Sequence, residues 1–169
     1  VEGYFSSLNL WYIRERIPIS LELYLILFSS ALELYVNIIM MMNSLIIDAA
    51  RDKIFLTNIL DKNIYTCSHE NSKINFEKMI VLINDFLEIN KNSINEINSI
   101  YINRGPGSFA GIRNSLSVIK ALFLTKSIDY YCFSFDDFVG LNQVKYEDVP
   151  NLCKKFKIKK NLINPIYSS

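Results

Sequence analysis

Apolar runs and helical periodicities alternate between residues 43 and 140 in an order that predicts an α/β domain. Leu45-Ile46-Ile47 is an unbroken apolar run, as in a strand buried on both faces. Asp48 closes it, and the predicted strand covers Ser44–Ala49. Ile54–Leu60 reads as a second strand and Ile64–Ser68 as a third, joined by the turn-forming Asp61-Lys62-Asn63. Phe76, Met79, Ile80, Ile83, Phe86 and Leu87 recur at helical spacing and predict a helix over Asn75–Asn90. After the polar break Asn90–Asn95, Ile100-Tyr101-Ile102 predicts a fourth strand. Ile112, Leu116, Ile119, Leu122 and Phe123 then predict a helix over Ser108–Lys126, and Tyr130–Phe133 a strand over Ile128–Ser134.

The first forty residues follow a different pattern. Ile17–Met42 is rich in Leu, Ile, Tyr and Met. Its longest uncharged core, Leu23–Leu32, lies between Glu22 and Glu33 and falls short of the roughly 20 apolar residues of a membrane span. On a helix Glu22 and Glu33 share a face, with Ser29 and Asn37 close by, which makes a narrow polar stripe. A membrane-associated helix, a partner-binding helix, and upstream sequence read through before Met40-Met41-Met42 all fit this pattern. Arg14 and Arg16 lie mid-segment and no small-residue cleavage site follows, so the stretch does not read as a secretory signal.

The chemistry concentrates where the fourth strand meets its helix. Gly105 and Gly107 permit a tight turn, Pro106 stiffens it, and Ser108 is placed to cap the helix. The N–H groups at that helix start suit an anion or a close backbone neighbour. Ile112 follows Gly111 where a Walker loop would carry Lys. The spacing approximates a dinucleotide fingerprint with Ala110 in the third glycine place. A turn that only packs helix on sheet fits equally well. Asp136 and Asp137 are adjacent and would point about 100° apart on a helix, which suits helix N-terminal charges better than an acid/base pair.

Composition narrows the choices. Half of the 169 residues are hydrophobic, enough for a core, and the net charge of +1 gives no bulk attraction to nucleic acid. Cys67, Cys132 and Cys153 are odd in number and far apart, which suggests a reducing compartment and neither a disulfide framework nor a zinc site. His69 is the single histidine and is expected beside a helix cap. Lys154, Lys155, Lys157, Lys159 and Lys160 form the one local basic patch, either an RNA contact or a solvated face.

Arg104-Gly105-Pro106-Gly107-Ser108-Phe109-Ala110-Gly111-Ile112-Arg113, with Ser117–Leu122 after it, resembles the signature of the TsaB (YeaZ) family. That family usually has Thr where this chain has Ala110. The resemblance implies an actin-like, ribonuclease H-like (ASKHA) subdomain with a mixed sheet flanked by helices. It places a hydrophobic extension at 1–41, a Gcp-like domain at 42–142 and a short lysine-rich remnant of a strongly reduced second subdomain at 143–169. Asn164-Pro165-Ile166-Tyr167 resembles the family's ending, which makes the reduction read as internal. The family's strand-end Asp is followed by hydroxyl residues. Asp48 is followed by Ala49 and Ala50, a degenerate phosphate motif. Catalytic relatives carry two metal-binding histidines where this chain reads Phe133–Phe138, without one.

The function implied is a non-catalytic scaffold that binds a TsaD-like catalytic subunit, with a TsaE-like ATPase, in making N6-threonylcarbamoyladenosine in tRNA. The compartment implied is the cytoplasm, and no cofactor is implied beyond a nucleotide at the partner interface. Contacts are expected from the two predicted helices through Phe76, Phe86, Ile112, Ile119 and Phe123, residues that equally suit an internal core. The same helices could form a homodimer. The rivals are a small ATP-hydrolysing enzyme of the actin-like fold using Asp48 and the Gly105–Gly107 turn, a divergent Gcp-type metallopeptidase, and a membrane protein tethered through Ile17–Met42.

Overall fold

A computed structural model describes residues 23–31, 43–141 and 143–167, and the chain divides into two units, Val1–Ile39 and Met40–Ser169. In the first unit residues 23–31 form a helix, α1, with every side chain exposed. The expected polar stripe rests on Glu22, Glu33 and Asn37, which lie outside the described residues. No helix among the described residues is long and apolar enough to cross a membrane.

The second unit is built on five strands: β1 (Asn43–Asp48), β2 (Lys53–Leu60), β3 (Asn63–Glu70), β4 (Ser99–Asn103) and β5 (Asp129–Phe133). Their order in the sheet is β3-β2-β1-β4-β5, with the first three antiparallel and β1, β4 and β5 parallel. The apolar run of β1 is buried throughout because the strand lies at the centre. Alternation then sends Leu45, Ile47, Ile100 and Ile102 to one face and Ile46 and Tyr101 to the other.

Helices cover the first face. The single helix expected over Asn75–Asn90 is two, α2 (Lys73–Glu77) and α3 (Met79–Ile89), divided at Lys78. Both pack against α4 (Phe109–Lys126), and the Phe76 ring of α2 sits on Gly111 of α4. Ser72 caps α2 by accepting from the Asn75 N–H. His69 therefore lies in β3, opposite Ile54, rather than at a helix start, with its Nε2 3.5 Å from Cys67 Sγ.

The second face is covered by single 3-10 turns and α5 (Val149–Lys155), which bring Phe138, Val149 and Cys153 onto Ile46, Tyr101 and Phe133. Val149, Leu152, Cys153, Phe156 and Ile158, within the segment read as a lysine-rich remnant, pack on this face of the sheet. The segment after α5 also covers the open edge of β5. The Asn161 N–H donates to the Tyr130 carbonyl (2.8 Å), and Asn161 Oδ1 accepts from the Tyr130 N–H (2.9 Å). An antiparallel bridge joins Tyr131 to Lys160. An edge closed in this way is no longer a template for another strand.

A buried amide cluster fixes one end of the sheet. Asn92 Nδ2 donates to Asn43 Oδ1 and Asn58 Oδ1 at 2.9 Å each, and Asn58 Nδ2 donates to the Ser44 carbonyl. The polar break after α3 is therefore an internal clamp between β1, β2 and the loop.

Ile119 is fully buried between α4 and the sheet. Ile119→Ala should lower the unfolding free energy by about 2–5 kcal/mol through lost burial and the residual cavity. Urea titration of the two proteins checks this.

Candidate functional site

The glycine turn joins three parts of the chain through backbone contacts. The Gly105–Pro106 peptide is cis, and Gly105 has φ +104°, a conformation that favours glycine. A Cβ on Gly107 would strike the Ala50 carbonyl, and one on Gly111 would strike the Ala49 carbonyl. The Ser108 N–H donates to that Ala50 carbonyl at 2.7 Å, while Ser108 Oγ accepts from the Gly111 N–H to cap α4. The close backbone neighbour that the sequence allowed for this turn is present, as the Ala49 and Ala50 carbonyls.

Arg104 ties the turn to the rest of the second face. Its N–H donates to the Phe133 carbonyl (2.8 Å), and its carbonyl accepts from the Ile166 N–H (2.7 Å). Nη1 donates to the Asn164 carbonyl (3.0 Å), and Nη2 to Asp137 Oδ1 (2.6 Å). Asp137 Oδ2 accepts from the Ser134 N–H (2.7 Å). Asp137 is thus more than a helix-end charge. Its pairing with Arg104 links two motifs that are thirty-three residues apart in sequence, and neither motif alone signals the pairing.

Asp48 stands at the end of β1, where a phosphate-binding acid would sit, and is fully buried. Its Oδ1 accepts from the Ala50 N–H (3.1 Å), as expected of a carboxylate capping the next turn. Its Oδ2 accepts from the Tyr146 hydroxyl (2.7 Å) and lies 3.3 Å from Arg51 Nε. The Tyr146 ring lies between Phe55 and Phe135, and Arg51 stacks 4.2 Å over Phe135. Burial, with the neighbouring Asp48 carboxylate, holds the Tyr146 phenol far above its usual range, so it stays a donor. Three donors of this chain, the Ala50 N–H, the Tyr146 hydroxyl and Arg51, therefore hold the Asp48 carboxylate. Tyr146, ninety-eight residues away, carried no sequence signal for that role.

The expected partner contacts fall mostly inside. Phe76, Phe86, Ile112 and Ile119 belong to the core between α2, α3, α4 and the sheet, and Phe123 is partly buried, edge-on to Tyr130. Their helical spacing is that of the sheet-facing stripe, so the surface of these helices is drawn from other residues: Ile74, Val81, Ile89, Phe109 and Leu124. Among the signature residues, Arg113 is exposed and makes no ion pair among the described residues. Between α4 and the segment Ile163–Tyr167 runs an open groove of about 490 Å³. Arg113, Leu116, Lys120 and Leu124 of α4 line one side of it, and Ile163, Pro165 and Tyr167 the other.

Lys154, Lys155, Lys157, Lys159 and Lys160 are all exposed, and Lys160 pairs with Asp129 at 3.0 Å. The three thiols are free, with Cys132 and Cys153 buried on opposite sides of the sheet. Among the described residues no three His, Cys, Asp or Glu side chains converge as metal ligands.

The sheet order, the mixed strand directions and the helices of this unit are those of the actin-like, ribonuclease H-like class of α/β domains. No protein-family model matches the chain. The tRNA threonylcarbamoyladenosine biosynthesis protein TsaB of Buchnera aphidicola subsp. Baizongia pistaciae (strain Bp) is 35% identical over 77 residues, covering 38% of this chain and 35% of that protein. YeaZ from Pseudomonas aeruginosa superposes with a TM-score of 0.51 at 16% identity, over 54% of this chain and 43% of that one. A crystal structure of an uncharacterized protein with similarity to peptidase YeaZ from Pseudomonas aeruginosa gives the same values. The sequence match is to a TsaB protein and the fold match is to YeaZ structures. The chain spans about a third of the length of the curated relative it matches.

Two outcomes are expected from this geometry. Arg104→Ala should remove its charge-assisted bonds and lower stability by about 2–3 kcal/mol. It should also make the 157–167 segment cleave faster under limited proteolysis, which mass spectrometry of the fragments reads. Burial pushes the Cys132 and Cys153 thiols up to about 12 from an ordinary value of 9.0. The unfolded chain releases those protons first. Stability is therefore full below pH 9 and falls as pH rises toward 12, as urea midpoints across that range will show.

Proposed function

We propose that this chain works in tRNA threonylcarbamoyladenosine biosynthesis as a non-catalytic subunit, one that binds and supports a TsaD-like catalytic subunit alongside a TsaE-like ATPase. The observation that carries the reading is the 35% identity to TsaB. The state of Asp48 supports the non-catalytic part. Its carboxylate is held by Ala50, Arg51 and Tyr146, and no hydroxyl neighbour stands at Ala49 or Ala50 to meet a phosphate. The partner surface of this proposal is the exposed outside of α2, α3 and α4, where apolar side chains remain uncovered. Burial of such side chains contributes about 25 cal/mol per Å² before association costs. The tRNA meets the complex mainly through the other subunits, with Lys154, Lys155, Lys157 and Lys159 as secondary phosphate contacts. Reduced thiols and a tRNA substrate fit the cytoplasm.

Reconstitution tests this with the full chain and the TsaD-, TsaE- and TsaC-like proteins of the same genome, with threonylcarbamoyladenosine in tRNA measured by nucleoside mass spectrometry. Product should fall at least tenfold when the chain is omitted and should be unaffected by Asp48→Asn in a folded variant. Product formation that ignores the omission would sink the proposal. ATP hydrolysis by the chain alone, lost in Asp48→Asn, would favour an enzyme of the actin-like fold instead.

A further inference from the structure

The helix of the first unit carries the densest exposed apolar surface among the described residues. Residues 23–31 make up α1, and none of them is charged. Leu23, Tyr24, Leu25, Ile26, Leu27 and Phe28 stand in succession, with exposure running from 57% at Leu25 to 67% at Tyr24. In the second unit exposed apolar residues such as Ile89 and Leu124 stand singly, as on most protein surfaces. Successive residues of a helix turn by about 100°, so six in a row pass more than once round the axis and leave no polar side. A helix that is apolar all round needs cover all round. Its hydroxyl chemistry is turned inward as well. Ser30 Oγ donates to the Leu27 carbonyl at 3.0 Å, so that hydroxyl is satisfied by the helix itself.

We infer that α1 is immersed in the hydrocarbon of one leaflet of a lipid membrane. Acyl chains reach every side of a helix, and a helical backbone with a self-bonded Ser30 brings few unpaired groups into them. Residues 23–31 rise about 13 Å, under half of a hydrocarbon core of about 30 Å. No described helix is long and apolar enough to cross the whole core. Glu22 and Glu33 bound the uncharged run in the sequence, so the contact is driven by apolar burial and not by attraction to anionic headgroups. A groove on a partner protein matches less well, because it covers one stripe of a helix. A second copy of α1 matches less well too. Paired helices cover only the seam between them, and this helix falls short of the roughly three heptads that a coiled coil needs. The inference does not rest on the role proposed in tRNA modification.

Flotation of the full chain with vesicles of phosphatidylcholine alone tests this, with folding of each variant verified by circular dichroism. About tenfold more chain should float with vesicles than without, and added salt should not release it. Leu25→Asp and Phe28→Asp should each lower the floated fraction about fivefold or more, because a carboxylate is costly in hydrocarbon. Val139→Asp, at an exposed apolar position of the second unit, should leave it unchanged. Trypsin added outside sealed vesicles should cut on both sides of α1, and protection of one side would overturn the single-leaflet placement. The inference is overturned if the chain does not float with these neutral vesicles, as when a protein partner or a second copy covers α1. It is overturned equally if both α1 variants float like the unmodified chain. Flotation that needs anionic lipid and is reversed by salt would also overturn it, and would assign the contact to Lys154, Lys155, Lys157 and Lys159.

Discussion

The unit is held by a backbone-on-backbone contact. At Gly107 and Gly111 the start of α4 lies against the carbonyls of Ala50 and Ala49, with no room for a side chain on either glycine. That contact sets the distance between α4 and the end of the central strand. From it follow the depth of the core under Ile112 and Ile119 and the placing of Phe76 against Gly111. It also places Arg104 where its guanidinium meets Asp137 and Asn164. A glycine-rich strand-to-helix turn is commonly read as a phosphate cradle, because the helix start offers N–H donors. Here the Ser108 N–H donates to the Ala50 carbonyl, and the Gly111 N–H donates to Ser108 Oγ.

The fate of Asp48 belongs to the same arrangement. Because β1 ends under the turn, its last carboxylate is enclosed, and an enclosed carboxylate must have partners. The chain supplies them from both sides in sequence, Ala50 and Arg51 from the next turn and Tyr146 from the segment before α5. Phe55, Phe135 and Arg51 then build an aromatic lid over the pair. A position associated with phosphate chemistry in the actin-like class has become part of the packing on the second face.

The two faces of the sheet differ in character. One carries the helices and the larger core; the other carries short turns, α5 and the segment that closes the β5 edge. The last described residues then cross to α4 and form the second wall of the groove. The outside of α4 is left cationic and partly apolar, with Arg113 and Leu124 exposed.

Much of the fold was legible in the chain, for local reasons. The unbroken run at Leu45–Ile47 marked a central strand, the turn at Asp61-Lys62-Asn63 marked the hairpin, and the Ile112–Leu122 spacing marked α4, with Ser108 as its cap. Each of these depends on neighbours within a few residues. What the sequence could not reveal depended on distant partners. The division at Lys78 has no Gly or Pro to mark it. The burial of Phe76, Phe86, Ile112 and Ile119 could not be told from exposure, because a helical stripe has the same period whichever way it faces. The pairing of Arg104 with Asp137, the hold of Tyr146 on Asp48 and the groove at Arg113 each join residues brought together only by the crossing of strands and tail. Sequence thus determined which elements form; tertiary packing decided which of their polar groups are occupied and which stay exposed.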